Sequence, residues 1–431
     1  MMSEKLLFTN AHLICPEQRL DAMGWLLTED NLIKAVGTQS EGTPDVADAK
    51  IIDCKGQILA PGLVDMRVQS GDPGAEHLET LSSLKEAAAH GGITSFAILP
   101  STEPVIDTAA MIDSLQLRAS RIDGPGLYCY GALTKELEDD QMAELGMMAH
   151  AGACAFASGT LSIQNAQTMR RIMTYAAMLD KPVIHHCEEA SLSADGDMNE
   201  GETSTRLGML GQPAASETII LKRDIELAKL TGVHYHAAHI SSADSVAALR
   251  QAKAEGVHIT ADTAPPYFML NELSVSGYDA ACKLNPPLRA ETDRQAILQG
   301  LADGTIDAIA SDHVPVNPDM KAQPFTQAST GASGIELLLT MTIRLVNNGT
   351  LSWLRALELI SANPARILKL QAGSLKPGMP ADLVQINPAQ SWIIQGRAFK
   401  SLSRITPFEG QPTDGQVTGL WIGGTGFALS R

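Results

Sequence analysis

Basic residues, aromatic residues and long apolar runs are scarce in this sequence. Its 32 Lys and Arg face 49 Asp and Glu, and the formal net charge of −17 argues against a surface for nucleic acids or anionic membranes. No run is long enough to span a membrane, and the apolar run near the N-terminus is too short for a signal peptide, so we predict a cytoplasmic protein. The six cysteines form no Cys-x-x-Cys pair, which argues against a zinc knuckle or a disulfide framework.

Two kinds of pattern divide the 431 residues into an N-terminal part (1–60), a central part (61–372) and a C-terminal part (373–431). Both end parts alternate short apolar runs with turn residues, so we expect them to join in one small β-sandwich. The central part alternates strand-like apolar runs with helical stretches, which is typical of a parallel sheet covered by helices. About eight such units predict a TIM (β/α)8 barrel of the α/β class rather than an open sheet.

Polar side chains follow several of the predicted barrel strands, at the end where barrel enzymes place their active sites. His186 ends the strand in PVIHHCEE, His239 ends the strand in VHYHAAHIS, and Asp312 follows the strand in IDAIASDH. Two imidazoles and a carboxylate are suitable ligands for a divalent metal, and the carboxylate could also transfer a proton in hydrolysis. Histidines at strand ends also serve as structural hydrogen-bonding groups, and aspartates there cap helices, so both interpretations stay open.

Other polar residues near these strand ends are weaker candidates. Alternate residues of a strand face opposite sides, so several histidines are expected to point toward the helices or the barrel interior, namely His185, His234 and His236. His313 is expected to orient its loop. In CKLNPPLR, Asn285 could hydrogen-bond a substrate amide or carboxylate, although an ordinary loop would also account for this segment.

Motifs along nearly the whole chain, taken in order, resemble those of dihydroorotases of the larger bacterial multifunctional-complex type, in the amidohydrolase superfamily. They include ILAPGLVDMRV, GGITSFAILPSTEPV, HHCEE, HAAHISS, KLNPPLR, IASDHVP, SLKPGMPADLV and TPFEGQ. The resemblance implies a barrel of the metal-dependent hydrolase type and a metal-activated hydroxide that interconverts dihydroorotate and N-carbamoyl-aspartate. It also implies that His186 and His239 are metal ligands, that Asp312 is the general base and acid, and that Asn285 contacts substrate.

The departures from the family pattern fall where the chemistry would occur. By this resemblance, the first two ligand histidines are replaced by Arg67 and Gln69, and the arginine that grips the substrate carboxylate is replaced by Gly71. Ser101 stands for a family asparagine. The region of the bridging metal ligand reads FASG, from Phe156 to Gly159, and a PHH segment has become Pro265, Pro266 and Tyr267.

An arginine at position 67 would repel divalent ions, so no two-metal centre is expected. One weakly bound zinc on His186, His239 and Asp312 stays open, because three protein ligands and a water form a normal zinc set. The first hypothesis is a catalytically defective homologue in an oligomeric assembly with the aspartate carbamoyltransferase catalytic chain, a role that the resemblance to degenerate dihydroorotase-like chains implies. The alternative is an active mononuclear-zinc cyclic amidohydrolase, and a third hypothesis is a free-standing scaffold.

Overall fold

The computed structural model describes residues 5–139 and 141–429 of the chain. At its centre, eight parallel strands follow one another in chain order. They are β1 (Leu63–Val68), β2 (Ile93–Ile98), β3 (Gly126–Ala132), β4 (Ala155–Ala157), β5 (Val183–His186), β6 (Tyr235–Ala238), β7 (Ile259–Thr263) and β8 (Ala308–Ile309). A parallel bridge between Val68 and His313 brings the end of β1 beside the segment after β8. The predicted TIM barrel is therefore confirmed.

Helices between the strands cover the barrel from outside. The helix Ala166–Met178 illustrates why they form: the Asn165 side chain accepts hydrogen bonds from two backbone N–H groups of the first turn, and one apolar face is buried. The α-helices are Leu81–His90, Ala109–Ala119, Leu145–His150, Ala166–Met178, Ala190–Ser193, Glu202–Leu207, Ala215–Thr231, Ala243–Ala254, Pro265–Met269, Glu291–Asp303, Pro318–Lys321, Leu338–Asn347, Trp353–Leu357 and Asn363–Ile367. Within the described ranges, none of the helices has the length and apolar character that crossing a membrane requires.

Shorter elements complete the connections. The 3₁₀ turns are Gln39–Glu41, Lys135–Leu137, Glu272–Val275, Ala280–Cys282, Ile335–Leu337 and Gly396–Ala398, and a π-helical turn spans Glu358–Ala362. A two-stranded parallel pair, Met198–Asn199 with Gly211–Gln212, lies in the long connection between β5 and β6. Because this connection follows the carboxyl end of β5, it lies at the end of the barrel where the side chains that follow the strands are placed.

Strands from both chain ends build the predicted small β-domain. They are Lys5–Cys15, Leu20–Glu29, Leu32–Thr38, Ala49–Asp53, Ile58–Pro61, Leu383–Ile393, Pro412–Ile422 and Thr425–Gly426. Hydrogen bonds link all eight, because Lys5–Cys15 pairs with three neighbours and Ile58–Pro61 pairs with the C-terminal strand Leu383–Ile393. A separate apolar core includes Phe8 edge-on to Trp421, with ring centroids 4.7 Å apart. The last N-terminal strand of this sheet ends at Pro61, and strand β1 of the barrel begins two residues later, at Leu63.

Candidate functional site

The barrel strands bring the predicted site residues to one end of the barrel. Arg67 lies in β1, His186 ends β5, His239 follows β6 and Asp312 follows β8. Arg67, His239 and Asp312 line a cavity of about 340 Å³. The predicted residues that line this cavity are Arg67, Gln69, His239, Asn285 and Asp312, together with Pro265 and Pro266. The structure thus brings these side chains together at one end of the barrel.

Arg67 forms an ion pair with Asp312 on the cavity floor. Its Nε donates a hydrogen bond to Asp312 Oδ1 over 2.8 Å, and its Nη2 lies 3.4 Å from the carbonyl oxygen of Gly159, to which it donates. The Arg67 side chain is 4% exposed and that of Asp312 is 11% exposed. The Arg67 guanidinium therefore binds the carboxylate of Asp312, the residue that the sequence analysis predicts to be a metal ligand and a proton carrier.

His186 and His239, the two predicted metal ligands, form a hydrogen bond with each other. His186 Nδ1 and His239 Nε2 are 2.8 Å apart, and His186 Nε2 is 3.0 Å from Glu188 Oε2. Two nitrogens on one tetrahedral zinc would lie about 3.3 Å apart, given Zn–N bonds of about 2.0–2.1 Å. The observed spacing is that of a hydrogen bond in which one imidazole donates and the other accepts.

The electrostatics of the floor follow from burial and from Arg67. Burial, and then the Arg67 charge, lower the pKa of His239 to about 4, so its imidazole is neutral at pH 7. Burial alone would raise the pKa of Asp312, but its interactions with His239 and with the Arg67 guanidinium outweigh burial and hold this pKa well below its usual range. The Asp312 carboxylate is consequently ionised and already neutralised by a protein cation.

These residues, as arranged, do not fit a metal ion. Among the described residues, the one group of His, Cys, Asp and Glu whose ligand atoms all lie within 4.8 Å of one another is elsewhere, at His185, Cys187 and Asp224. The trio of His186, His239 and Asp312 does not converge in this way. His239 Nδ1 is 3.4 Å from Asp312 Oδ2 but makes no hydrogen bond. No catalytic step through a metal is therefore derived from this geometry.

The backbone at the site has nevertheless kept an unusual conformation. His239 and Asp312 have positive φ angles of 37° and 50°. Such angles are uncommon in residues other than glycine and cost about 1–3 kcal/mol each. Backbone strain of this kind concentrates at functional sites, which supports these two strand ends as part of a functional site.

The cluster at His185, which the sequence analysis treated as a weak candidate, is a closed hydrogen-bond network. His185 Nδ1 is 2.7 Å from Asp224 Oδ2, and His185 Nε2 accepts from the backbone N–H of Ile163. Tyr235 donates its hydroxyl to Asp224 and lies 3.2 Å from the Cys187 thiol. Because every member has a partner, the network ties β5 and β6 to the helix Ala215–Thr231 without a metal ion.

The loops around the cavity supply two further polar side chains. Asn285 lines the cavity near Glu188. The pKa of Glu188 is lowered to about 2, because its interaction with His186, with smaller effects of Ser193 and Asn285, outweighs burial. Arg289 is buried and donates hydrogen bonds to the Gln212 carbonyl and to the Asn199 side chain. It therefore links its own loop to the long connection between β5 and β6. Glu188, the first glutamate of HHCEE, was not singled out from the sequence, because several of its partners come from other segments of the chain.

Comparisons with known proteins place the chain in a family. Residues 56–245 match the family model described as Dihydro-orotase-like. A dihydroorotase from Syntrophus aciditrophicus (strain SB) is 40% identical over 413 residues, which cover 96% of each chain. A dihydroorotase from Syntrophotalea carbinolica is 41% identical over 404 residues, or 94% of each chain. The chain belongs to the dihydroorotase family.

Solved structures support the dihydroorotase-like fold. The L-hydantoinase (dihydropyrimidinase) from Arthrobacter aurescens superposes with a TM-score of 0.87 at 24% identity, covering 99% of this chain and 96% of that one. The dihydropyrimidinase from Brevibacillus agri gives a TM-score of 0.82 at 21% identity, with 98% and 94% covered. Both the barrel and the small β-domain are therefore shared with these amidohydrolases.

Two glycines stand at positions where the resemblance implies functional residues. A Cβ atom at Gly71 would lie 2.3 Å from the Ala75 carbonyl oxygen and 2.7 Å from that of Glu79, so this backbone admits a side chain only if the loop moves. At Gly159, a Cβ would lie 2.2 Å from Ser101 Oγ, so a side chain there requires the Ser101 side chain to move.

Proposed function

We propose that this chain is a catalytically silent dihydroorotase homologue that serves pyrimidine biosynthesis as a structural partner of the aspartate carbamoyltransferase catalytic chain. The observation that carries the loss of catalysis is the ion pair of Arg67 with Asp312, 2.8 Å from Nε to Oδ1. A divalent ion 4 Å from this guanidinium would be repelled by about 8 kcal/mol at an effective dielectric constant of about 20. The carboxylate is also a poor proton acceptor, because its negative charge is already paired.

The similarity of nearly the whole chain to dihydroorotases supports the proposed partner role. Similarity to the curated dihydroorotases extends over 94–96% of the sequence, although the metal-binding pair is absent. A protein that retains a complete fold without its reacting groups acts through its surface or its cavity. The resemblance to degenerate dihydroorotase-like chains supports aspartate carbamoyltransferase as the occupant of that surface.

The competing function is an active mononuclear-zinc cyclic amidohydrolase acting on dihydroorotate or a related ring amide. It is favoured by one observation: His239 and Asp312 keep their strained backbone angles beside His186. This function requires Arg67 to leave the floor and the two imidazoles to separate. It predicts one tightly bound zinc per chain.

Catalysis is tested by the cyclisation of N-carbamoyl-aspartate to dihydroorotate with the purified protein and added zinc. The Asp312→Ala variant supplies the background rate. We expect no turnover above this background. Turnover that disappears in Asp312→Ala would establish the zinc enzyme and overturn the silent homologue.

The partner is tested separately, with the aspartate carbamoyltransferase catalytic chain of the same host. The two proteins are mixed at micromolar concentration and analysed by size-exclusion chromatography with light scattering. We expect one complex of fixed stoichiometry. Separate elution, together with self-assembly of this chain alone, would instead favour the free-standing scaffold.

A further inference from the structure

A strap leaves the small β-domain and crosses the carboxyl end of the barrel. It comprises residues 394–411, which connect the two long C-terminal strands. A backbone hydrogen bond from Gly410 to Ile394 closes its base. Pro407 and Phe408 of the strap line the cavity of the candidate site, so the strap forms part of the cavity wall.

Two carboxylates of the barrel hold the middle of the strap. Glu336 Oε1 accepts hydrogen bonds from the backbone N–H groups of Lys400 and Ser401, over 2.7 and 3.2 Å. Glu79 accepts from the Ser401 hydroxyl and, over 3.3 Å, from the backbone N–H of Leu402. Three consecutive strap residues thus bind two acidic side chains from different segments of the barrel.

Further hydrogen bonds hold the strap closer to the cavity. The backbone N–H of Ser333 donates to the Ile405 carbonyl over 2.7 Å, and its hydroxyl donates to the Ser403 carbonyl. The backbone N–H of Val316 donates to Ser403 Oγ over 3.1 Å. All of these groups are neutral, so their hydrogen bonds do not change with pH. The pH dependence of strap docking therefore has to come from its charged contacts.

The two carboxyl groups differ in their surroundings. Glu79 is fully buried, but His313 Nε2 lies 3.4 Å from its Oε2, and Ser83 also donates to it. Burial alone would raise the pKa of Glu79, but its interactions with His313, Ser401 and Ser83 outweigh burial and lower it. Burial, with the added effect of the Glu79 charge, raises the pKa of Glu336 to about 7, although the strap N–H groups oppose this shift. Glu79 is therefore ionised while Glu336 titrates near neutrality.

Other ionisable groups lie around Glu336. His90 and Lys400 line the same surface groove as Glu336. The Lys400 ammonium opposes the rise in the pKa of Glu336, but its effect is smaller than those of burial and of Glu79. Lys400 Nζ also lies 3.8 Å from Glu86 Oε1, so its charge is shared with another carboxylate.

We propose that the strap is a pH-sensitive lid over the cavity, which stays docked while Glu336 carries a proton and is released when this carboxyl is ionised beside Glu79. In the released strap Glu336 faces water, and its pKa returns to the usual value of about 4.5. Docking therefore takes up a proton, so it is strongest below about pH 4.5 and weakens as the pH rises through about 7. This device goes beyond the proposed partner role and does not depend on it.

Hydrogen–deuterium exchange of the full chain, followed by mass spectrometry, tests the lid. Protection factors are measured between about pH 6 and about pH 8.5 and corrected for the intrinsic pH dependence of exchange. Peptides that cover residues 394–411 should lose about tenfold in protection over this range, as the two pKa values of Glu336 require. Peptides of the barrel strands should keep their protection, which distinguishes release of the strap from global unfolding.

Two results of this experiment would overturn the proposal. The first is strap protection that does not change with pH. The second is a loss confined to residues 400–402 while the peptide around Phe408 stays protected, because the cavity would then remain covered.

Variants identify the group that controls the strap. Glu336→Gln keeps an acceptor oxygen but cannot ionise, so its strap protection should be equal at both ends of the pH range. Glu226→Gln is the matched control, at a side chain that is 71% exposed on a helix, and it should keep the tenfold change. A pH dependence that survives Glu336→Gln would assign the effect to another group and overturn the proposal.

Glu336→Ala removes the acceptor altogether. At about pH 6 we expect at least about fivefold lower strap protection, since two backbone N–H groups lose their partner. Strap protection equal to that of the unchanged chain would show that Glu336 does not hold the strap, and would likewise overturn the proposal.

Discussion

His185 and His186 are neighbours on β5 but belong to two clusters of different character. The outer cluster joins His185 to Asp224, Tyr235 and Cys187, and it is the group that converges as a metal site would. The inner cluster at His186 contains the residues that the family pattern assigns to metal and does not converge. Convergence of ligand-type side chains is therefore not sufficient to identify a metal centre.

Hydrogen-bond satisfaction separates the two clusters better than residue type does. In the outer cluster, both nitrogens of His185 have partners. Around the inner cluster, buried polar atoms without a hydrogen bond remain, including His239 Nδ1 and Ser101 Oγ. Buried polar groups without partners are rare and costly in folded proteins. Their presence near Arg67 is consistent with the proposed loss of a ligand set, although Arg223 Nη2, beside Asp224, also lacks a hydrogen bond.

The largest effect should come from restoring the inner cluster. Arg67→His combined with Gln69→His removes the repelling cation and returns two imidazoles to one face of β1. Zinc affinity measured by competition with a chromogenic chelator should rise at least about a thousandfold, or about 4 kcal/mol.

Dihydroorotase activity should stay negligible in that double variant, because Gly71 provides no partner for the substrate carboxylate. Appreciable turnover would show that the missing arginine matters less than we infer. Addition of Asp312→Ala serves as the control and should weaken the gained zinc site.

The outer cluster should be the more important of the two for stability. Asp224→Ala leaves His185, Tyr235 and Arg223 without their shared acceptor, and we expect a loss of about 3 to 4 kcal/mol in the free energy of unfolding. Urea denaturation followed by circular dichroism measures it. Asp113→Ala, at an exposed helix position, is the control and should change stability by less than about 0.5 kcal/mol. If Asp224→Ala and Asp113→Ala both changed the free energy of unfolding only slightly, the outer cluster would not stabilise the fold.

The ion pair of Arg67 with Asp312 should contribute somewhat less to the free energy of unfolding than the outer cluster does. Arg67→Met leaves Asp312 without its cation, and we expect a loss of about 2 to 3 kcal/mol, at the low end for a buried pair because the cavity admits water to Asp312. The same denaturation experiment measures it. Arg250→Met breaks an exposed pair with Asp303 and should cost less than about 1 kcal/mol. A stabilised Arg67→Met protein would show that the guanidinium is not held by Asp312.

The smallest effect concerns the closed loop at Gly71. Gly71→Ala places a methyl group against the Ala75 carbonyl, so we expect a loss of about 1 to 2 kcal/mol. Gly277→Ala is the matched control, because nothing lies within 4 Å of its added Cβ and its backbone is not left-handed. Thermal unfolding compares the two. If both substitutions were equally tolerated, the loop could also admit an arginine.

The sequence predicted the barrel because its signal is local: short apolar strands alternate with helices and end in polar residues. The same logic selected His186, His239, Asp312 and Asn285 as candidates, because it depends on neighbouring residues and on the period of a strand, which a linear chain displays directly. The substitution at Arg67 was recognised only through the resemblance to the family, and repulsion of a metal there stays a prediction.

The pairing of these residues could not be predicted in the same way. Arg67 and Asp312 are 245 positions apart, and their contact depends on the barrel closing between β1 and β8. The closure of the backbone over Gly71 depends on the conformation of the loop to Glu79. The network at His185 was undervalued because its acceptor, Asp224, lies in a helix that carries no motif. Tertiary partners, rather than residue types, decide these cases.

The most direct test of the account is the zinc content of the chain, purified from its host without chelators and measured by elemental analysis. If the Arg67 guanidinium occupies the place of the metal, zinc will be far below one equivalent, and Asp312→Ala will leave it unchanged. One equivalent of zinc per chain, lost in Asp312→Ala, would contradict the account, because His186, His239 and Asp312 would then form a working metal centre.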